Sequence, residues 1–419
     1  MAGQLAQQKA EYAELIVRAG LNVQPGQRLL IAGSGIAGVD LHLAPFVRLV
    51  ATAAYRAGAL LVDVIWDDPG LLPIRLRQAS SETAGARSDW PTAARKEFLD
   101  KGAAFLGLFA RDPDLLSGID PKLVSANVNA RLQAVRPVTD QIMANAVNWC
   151  IVSAPIPSWA AKVFPTLPPR TREARLWRAI LHICRADQPD PTALWQSLGK
   201  ELTARAAYLT TKQYSTLTFK GPGTDLTVGL PPGHVWLGGQ IRAKNGVSFL
   251  PNIPTEEVFT LPHRSRVQGT VQSTKPLSYF GSTIDGLRLV FKDGKVAEFT
   301  AQKGEDQVRE LINTDEGASR LGEVALVPVS TPIAASGILF RNELFDENAA
   351  SHLALGSAYR ESLHGAGEMS EEEFAQAGGN ASATHVDFMI GSSEVDVDGL
   401  TDQGNSEPIM RQGEWTFTT

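Results

Sequence analysis

The sequence places a histidine and an aspartate two positions apart, His385 and Asp387, within the largely apolar stretch 384–390. This pattern is typical of a β-strand, in which side chains two positions apart project from the same face. An imidazole and a carboxylate held together on a rigid element can bind a metal ion. The pair is equally compatible with the polar edge of a surface strand, so on its own it leaves the site open.

A second candidate group lies in the segment 345–359, where Glu347 and His352 bracket a run of small residues that would let another backbone approach closely. His352 and Tyr359 are seven positions apart and would share one face if this segment were helical. Taken alone, His352 is more readily explained as a hydrogen-bonded histidine of the core.

Further carboxylates stand in apolar surroundings. Glu323 lies in the stretch 321–328, where a buried carboxylate is costly unless a positive partner offsets its charge. A metal ion is one such partner. Glu256 and Glu257 are adjacent in an extended segment, so their side chains should point in opposite directions, and at most one is expected to bind the metal directly.

Glutamates, one aspartate and two histidines, without thiolates, suit zinc, cobalt, manganese or magnesium. This set contains more oxygen ligands than one catalytic metal ion needs. It fits a pair of divalent metal ions bridged by a carboxylate and a water molecule.

The elements that must position these residues differ between the two halves of the chain. In the first half, helices alternate with the apolar strands 28–32, 60–66, 104–109 and 149–155, which predicts a parallel sheet with covering helices. Beyond residue 212, short alternating strands predict an α+β, largely antiparallel region, in which the Asp293–Gly294 pair predicts a hairpin turn. The fold class is thus an α/β N-terminal domain, 1–210, followed by an α+β C-terminal metal-binding catalytic domain, 211–419.

A glycine motif in the first half allows a different function. The six residues from Gly33 to Gly38, GSGIAG, match GxGxxG directly after a predicted strand, the fingerprint of a nucleotide-binding module. The residues that follow do not continue as a helix from the third glycine, and Pro45 would interrupt one or start a new one. A glycine turn between a strand and a helix explains the motif better.

The composition narrows the class of protein. The chain has 419 residues and a formal net charge of -6, which argues against nucleic-acid binding. No run reaches the ~18 apolar residues of a membrane span, and we find no secretory signal. Its two cysteines, Cys150 and Cys184, suggest buried thiols rather than a disulfide framework. We therefore expect a cytoplasmic protein with no membrane partner.

At these candidate residues the sequence resembles the aminopeptidase T / aminopeptidase S / aminopeptidase PII family of metalloaminopeptidases, along essentially the whole chain. The stretches that carry the resemblance are PNIPTEEVFT, GASRLGEVALVP, FDENAASHLALGSAY and THVDFMIG. The resemblance implies as metal ligands Glu257, Glu323, His352, His385 and Asp387, with Glu347 as an additional one. It also implies an active-site role for Tyr359.

The resemblance further implies two divalent metal ions, with zinc or cobalt favoured over magnesium or manganese. It implies a homodimer and the removal of N-terminal amino acids from peptides with a free N-terminus. We therefore hypothesise that a metal-activated water attacks the peptide bond, that Glu256 shuttles the proton, and that Tyr359 donates a hydrogen bond to the oxyanion. The closest alternative enzyme is a mononuclear iron ring-cleaving dioxygenase, which would use two histidines and one carboxylate and leave the other carboxylates without a metal.

Overall fold

The computed structural model describes residues 2–33, 37–112, 114–279 and 282–419. The chain forms two compact units. The first unit comprises Met1–Leu198 and Gln240–Pro254, and the second comprises Gly199–Gly239 and Thr255–Thr419. Because 240–254 returns to the first unit, the chain crosses between the units more than once. The single domain boundary near residue 210 stays a prediction.

The first unit is built on a five-stranded parallel sheet, which confirms the predicted α/β architecture. Neighbouring strands in the sheet are joined in the order Asn252–Ile253, Trp149–Val152, Ala104–Leu108, Arg28–Gly33 and Leu61–Val64. The central strands are apolar and buried along nearly their whole length, as is typical of parallel sheets whose two faces are both covered.

The first helix, Ala2–Leu15, precedes these strands and continues as a π-helical turn through Gly20. The helices that lie between and after the strands are Ala44–Arg56, Leu71–Gln78, Trp90–Asp100, Pro121–Met143, Pro157–Val163, Pro169–Ile183 and Pro191–Lys212. The last of them runs into the second unit. Several begin with proline, whose missing N–H is not needed in the first turn. The Asp120 carboxylate caps one of them by accepting a hydrogen bond from the backbone N–H of Lys122.

The glycine motif falls partly on Ser34, Gly35 and Ile36, which lie outside the described residues. After it, Val39–Asp40 forms a short strand and Leu41–Leu43 a single 3-10 turn, and the next helix begins only at Ala44. The third glycine therefore does not start a helix, as the proline at position 45 predicted.

The second unit contains an eight-stranded antiparallel sheet. Its strands, in order across the sheet, are Lys295–Thr300, Arg288–Lys292, Val267–Gln272, Thr224–Gly229, Thr216–Gly221, Asp396–Leu400, Ser406–Arg411 and Glu414–Trp415. Asp293 and Gly294 connect the first two strands of this order, and both have positive φ, at 50° and 77°. The predicted hairpin turn is therefore present, with the backbone that an Asp–Gly turn favours.

A second antiparallel sheet in this unit has four strands and carries most of the predicted ligands. Its strands, in order, are Val258–Thr260, Leu321–Leu326, His352–Gly356 and His385–Met389. The described helices of the unit beyond Lys212 are short: Glu305–Ile312, Pro332–Ser336, Glu343–Asp346 and Glu371–Gln376. His352 therefore begins a strand, and the helical arrangement that would have joined it to Tyr359 is wrong, because pairing with the strands on both sides holds this segment extended.

Candidate metal centre

One face of the four-stranded sheet gathers the predicted ligands because of its strand register. Ala354 lies opposite both Glu323 and Asp387 on the neighbouring strands, and His385 lies opposite Gly356. Residues that oppose each other across an antiparallel pair project to the same face. Residues far apart in sequence thus share one surface of a single sheet.

The other face of this sheet is apolar. Val324, Leu326, Leu353, Leu355 and Phe388 alternate with the ligand-bearing positions and are all buried. Their packing holds the strands in register, and a slip of one residue would exchange the two faces. The hydrophobic pattern therefore determines which face carries the charges.

Glu323 lies at the centre of the cluster. Its Oε1 is 3.5 Å from Nε2 of His352, and its Oε2 is 3.5 Å from Nε2 of His385. On one side, Oε2 of Glu257 is 3.2 Å from Nε2 of His352, and on the other, Oδ1 of Asp387 is 3.6 Å from Nε2 of His385. The two oxygens of one carboxylate therefore face two different histidines.

These five residues form two groups that share Glu323. The first consists of Glu257, Glu323 and His352, and the second of Glu323, His385 and Asp387. Within each group, one potential ligand atom of every residue lies within 4.8 Å of those of the others. Each group has the nitrogen and oxygen donors that a catalytic zinc or a similar ion takes from a protein.

Both histidines direct Nε2 towards the carboxylates because Nδ1 is held by the main chain. Nδ1 of His352 lies 3.1 Å from the carbonyl oxygen of Ala350, and Nδ1 of His385 lies 2.8 Å from that of Ser357. A carbonyl oxygen can only accept, so Nδ1–H donates in each case, and the neutral form of each ring has its lone pair at Nε2. This is the arrangement in which an imidazole binds a metal ion.

The carboxylates are held in surroundings that oppose their negative charge. Burial, together with the charges of Asp387 and Glu257, raises the pKa of Glu323, although His352 and His385 act in the opposite direction. Burial and the charges of Glu257 and Asp387 raise the pKa of Glu347 well above its ordinary value. Such groups need nearby positive charge to remain ionised at neutral pH.

The imidazoles and the tyrosine respond to the same charges. Burial alone would lower the pKa of His385, but Asp387 and Glu323 raise it to about 10. Burial and the carboxylates, Glu323 first among them, raise the pKa of Tyr359 well above its ordinary value, so its hydroxyl stays protonated and able to donate. The Tyr359 ring lies 5.1 Å from that of His385 and 5.6 Å from that of Phe259.

Small residues make room for ions above the sheet. Ala354 lies between Glu323 and Asp387, and Ala325 lies opposite His352. A register shift between Leu321 and Glu323 brings Gly322 close to the neighbouring strand, where a Cβ would come within 2.4 Å of the carbonyl oxygen of Gly356. A bulge of this kind re-aims the side chain that follows it, here Glu323.

The donor set fits a divalent metal centre. Oε2 of Glu257 and Oδ1 of Asp387 are buried and make no hydrogen bond within the described residues, although each lies near a histidine nitrogen. Buried carboxylate oxygens without hydrogen bonds are costly. A cation between these oxygens and the imidazoles would satisfy all of them.

Glu256 is also buried, and Glu347 is partly buried. Glu347 lies in the 3-10 turn Glu347–Ala349 and interacts electrostatically with Glu257, Asp387 and His352, which places it beside the cluster. The backbone N–H of Glu256 donates to Oδ1 of Asn348 at 2.7 Å. Both residues lie at the site, outside the two groups of three, and their roles stay predictions.

Sequence reasoning did not single out several residues that shape this site. They include Asn348, the carbonyl groups of Ala350 and Ser357, and the alanines between the ligands. Asn348 directly follows Glu347 in the motif that carries the family resemblance, and Ala354 stands two positions after His352. Strand alternation from His352 would have found Ala354, whereas no sequence pattern marks a main-chain carbonyl as a hydrogen-bond acceptor.

The chain matches known proteins in sequence and fold along nearly its whole length. The model of a family described as thermophilic metalloprotease (M29) matches residues 5–415. Aminopeptidase 2 of Geobacillus stearothermophilus is 45% identical over 410 residues, which covers 97% of both chains. Aminopeptidase T of Thermus thermophilus is 46% identical over 403 residues, which covers 96% of this chain and 97% of that one.

Solved structures extend the comparison. Wild-type AmpT from Thermus thermophilus matches with a TM-score of 0.92 and 42% identity, covering 98% of this chain and all of that one. The 2,5-dihydroxypyridine dioxygenase from Pseudomonas putida KT2440 matches with a TM-score of 0.52 but only 13% identity. The second likeness is one of fold alone and gives the dioxygenase alternative no support.

A cluster of carboxylates and histidines that could hold a metal ion, on a chain matched almost from end to end, is that of a metalloprotease. The chain belongs to the thermophilic metalloprotease (M29) family. It is a metal-dependent aminopeptidase, a hydrolase acting on peptide bonds.

Proposed function

We propose that this aminopeptidase uses two divalent metal ions, with Glu323 as the ligand common to both. The observation that supports this most strongly is that the two oxygens of Glu323 face Nε2 of different histidines. Glu257 and His352 would complete one site, and His385 and Asp387 the other. A single ion would leave one of these buried groups without a positive partner.

Glu347 is proposed as an additional ligand. Its side chain is partly buried, and burial together with the negative charges of Glu257 and Asp387 raises the pKa of its carboxyl group. Zinc or cobalt suits the mixed nitrogen and oxygen donors best, and magnesium or manganese is compatible with the carboxylate oxygens.

The proposed substrates are peptides with a free N-terminus. The relatives named aminopeptidase 2 and aminopeptidase T support this class, because their sequences match this chain along nearly its whole length. An exposed α-amine is itself a metal ligand and a hydrogen-bond donor, so a site rich in carboxylates can select it from the blocked amides of an internal segment.

When bound, divalent metal ions lower the pKa of a coordinated water towards ~7 and polarise a carbonyl group. The residues of the chain do the rest. The carboxylates hold the positive charge in place, and the main-chain carbonyls hold the imidazole rings in one orientation. Tyr359, protonated at neutral pH, donates a hydrogen bond to the oxyanion that forms at the scissile carbonyl.

Glu256 is the proposed proton shuttle, which takes the proton of the attacking water and delivers it to the leaving amine. Its main chain is anchored by Asn348. Glu256→Gln should keep both metal ions and lose kcat, whereas Glu347→Gln should lose metal. Loss of metal from Glu256→Gln would instead make Glu256 a ligand.

The family resemblance supports one further property, the oligomeric state, and the cysteines support another, the location. We propose a homodimer, which sedimentation analysis of the purified chain would test. We propose a cytoplasmic location, which the two free, buried cysteines support because thiols persist in reducing compartments. None of the described helices is both long and apolar enough to cross a membrane.

Elemental analysis of the purified protein, combined with turnover of an amino-acid anilide before and after chelation, tests the proposed function. We expect two metal equivalents, loss of turnover on chelation, and recovery on adding metal back. A blocked N-acetyl anilide should not be cleaved. Full turnover with one equivalent would exclude the two-metal mechanism.

A further inference from the structure

Asn348 is a fully buried asparagine whose side chain has three partners on two segments of the second unit. Its Oδ1 accepts a hydrogen bond from the backbone N–H of Glu256 at 2.7 Å. Its Nδ2 donates to the carbonyl oxygen of Leu344 and to Oε1 of Glu347, both at 3.2 Å. The amide of Asn348 is therefore both a hydrogen-bond acceptor and a hydrogen-bond donor, and one of its partners is the predicted metal ligand Glu347.

The segments joined by Asn348 are far apart in sequence. Glu256 precedes Glu257, and the distance along the chain to Asn348 is 92 residues. The bond from Glu256 N–H fixes the main chain one residue before Glu257, while the bond from Nδ2 fixes the carboxylate of Glu347. Because Asn348 is rigidly enclosed, a shift of either carboxylate would require breaking a buried hydrogen bond.

We propose that Asn348 is a positioning residue, which fixes Glu257 and Glu347 relative to each other and so sets the affinity of the site for metal. This rests on the proposed function, in which these two glutamates are ligands. Asn348 acts through Glu347 and through the main chain of Glu256, without itself being a ligand. Hydrogen-bond partners of this kind orient metal ligands, and their loss typically weakens metal binding.

The chemistry of the amide makes the role specific. Its Nδ2 supplies N–H groups that a carboxylate at the same position lacks. In Asn348→Asp, which has nearly the same shape, an oxygen would face Oε1 of Glu347 where an N–H now donates. The change keeps the packing and replaces the donor of both Nδ2 hydrogen bonds, to Glu347 and to the carbonyl oxygen of Leu344, by an acceptor, so it separates positioning of the ligand from filling of space.

The control comes from an equally buried asparagine in the first unit. Asn148 is fully buried, its Nδ2 donates to the carbonyl oxygen of Leu21 at 2.6 Å, and its Oδ1 accepts from Nε2 of Gln27 at 2.7 Å. These partners include no predicted ligand. Asn148→Asp thus makes the same chemical change in a network of similar size.

The experiment measures zinc affinity of the full chain by competition with a chromogenic chelator, together with the unfolding temperature of the chelated protein. We expect Asn348→Asp to bind zinc about 10- to 100-fold more weakly than the unchanged protein. Asn148→Asp should bind zinc with unchanged affinity, whatever unfolding temperature it loses. At saturating zinc, kcat with an amino-acid anilide should fall in Asn348→Asp and stay unchanged in Asn148→Asp.

Asn348→Ser provides a second variant if Asn348→Asp does not fold, because the serine hydroxyl is too short to reach both segments. Unchanged zinc affinity in whichever Asn348 variant folds, with two equivalents bound by the unchanged protein, would overturn the positioning role and leave the proposed function standing. A different result would exclude the two-metal site itself. In that case the unchanged protein would bind fewer than two equivalents of zinc, and Glu323→Ala would bind the same number as the unchanged protein.

Discussion

Two sheets of this molecule each contain a fully buried strand, and the two strands differ in what they bury. In the parallel sheet of the first unit, the strand Ala104–Leu108 is apolar and buried at every position. In the four-stranded sheet of the second unit, the strand Leu321–Leu326 is also buried at every position, yet it contains Glu323. One sheet is stabilised by hydrophobic burial on both faces, whereas the other confines its charges to one face.

The difference shows how an antiparallel sheet can hold a charged cluster without losing its register. Because successive side chains alternate, Val324 and Leu326 pack on one face while Glu323 projects from the other. In the parallel sheet, the strand Ala104–Leu108 carries no charged side chain on either face. The antiparallel sheet therefore needs a compensating positive charge, and its stability should depend on metal where that of the parallel sheet does not.

The largest expected effect is that of Glu323→Ala, which removes the ligand common to both groups. We expect turnover to fall by more than the roughly 100-fold that loss of a residue supporting a ligand costs. Metal content should fall to one equivalent or fewer. Elemental analysis measures the metal content, and anilide hydrolysis measures the turnover. Two metal equivalents retained by Glu323→Ala would contradict the view that the charge of this sheet is balanced by metal bound to Glu323.

The next largest effect should come from Ala354→Leu, which places a large side chain between Glu323 and Asp387. Overpacking of this kind costs about 1–3 kcal/mol in a filled core, but here the added side chain would enter the space above the sheet. We expect metal binding to be lost with a smaller loss of stability. Isothermal titration with zinc and chemical denaturation measure the two quantities, and Ala325→Leu tests the neighbouring position.

Removal of metal should make stability depend on pH in a defined direction. The folded-state pKa of His385 is about 10, above its usual 6.5, and the pKa of His352 is also raised. Their contribution to stability is therefore complete below pH 6.5 and is lost as the pH rises towards 10. The raised pKa of Glu323 and that of Glu347 act in the same direction.

We accordingly expect the unfolding temperature of the chelated protein to fall as the pH rises from 6.5 to 10. Metal binding requires deprotonated ligands and strengthens over the same range. The gap in unfolding temperature between metal-loaded and chelated protein should widen with pH. Thermal scans at several pH values measure it, and a gap that narrows would contradict the metal-ligand assignment.

The smallest effect on the site should come from apolar truncations in the two sheets. Leu106→Ala in the parallel sheet and Leu326→Ala on the apolar face of the other remove the same atoms from fully buried positions. Each should cost about 2–5 kcal/mol of stability. Neither should change the number of metal equivalents, and metal loss from Leu326→Ala would show that the two faces are more strongly coupled than alternation implies.

Much of this organisation could be predicted from the sequence. Alternation of helices and apolar strands predicted the parallel sheet, and the Asp293–Gly294 pair predicted a hairpin that is present. His385 and Asp387 were predicted to share a strand face, and they do, because the period of a strand is set by its backbone. Glu323 was recognised as costly in an apolar strand, and it lies at the centre of the cluster.

Other features depend on pairings that a sequence does not display. Whether Ala354 lies opposite Glu323 is decided by a register that includes a bulge at Gly322. The segment after His352 was open to a helical interpretation, since its alanines suit either structure and its tertiary pairing decided for the strand. The return of 240–254 to the first unit is likewise a long-range contact that composition does not reveal.

The two histidines are oriented by main-chain oxygens, those of Ala350 and Ser357. Every amino acid supplies such an oxygen, so no substitution at these two positions can delete the acceptor. Nor does a peptide carbonyl gain or lose a proton across the range in which proteins survive. The orientation of each imidazole ring is therefore set by the path of the backbone. Neighbouring side chains can change during evolution without rotating the rings, provided that the backbone keeps its path.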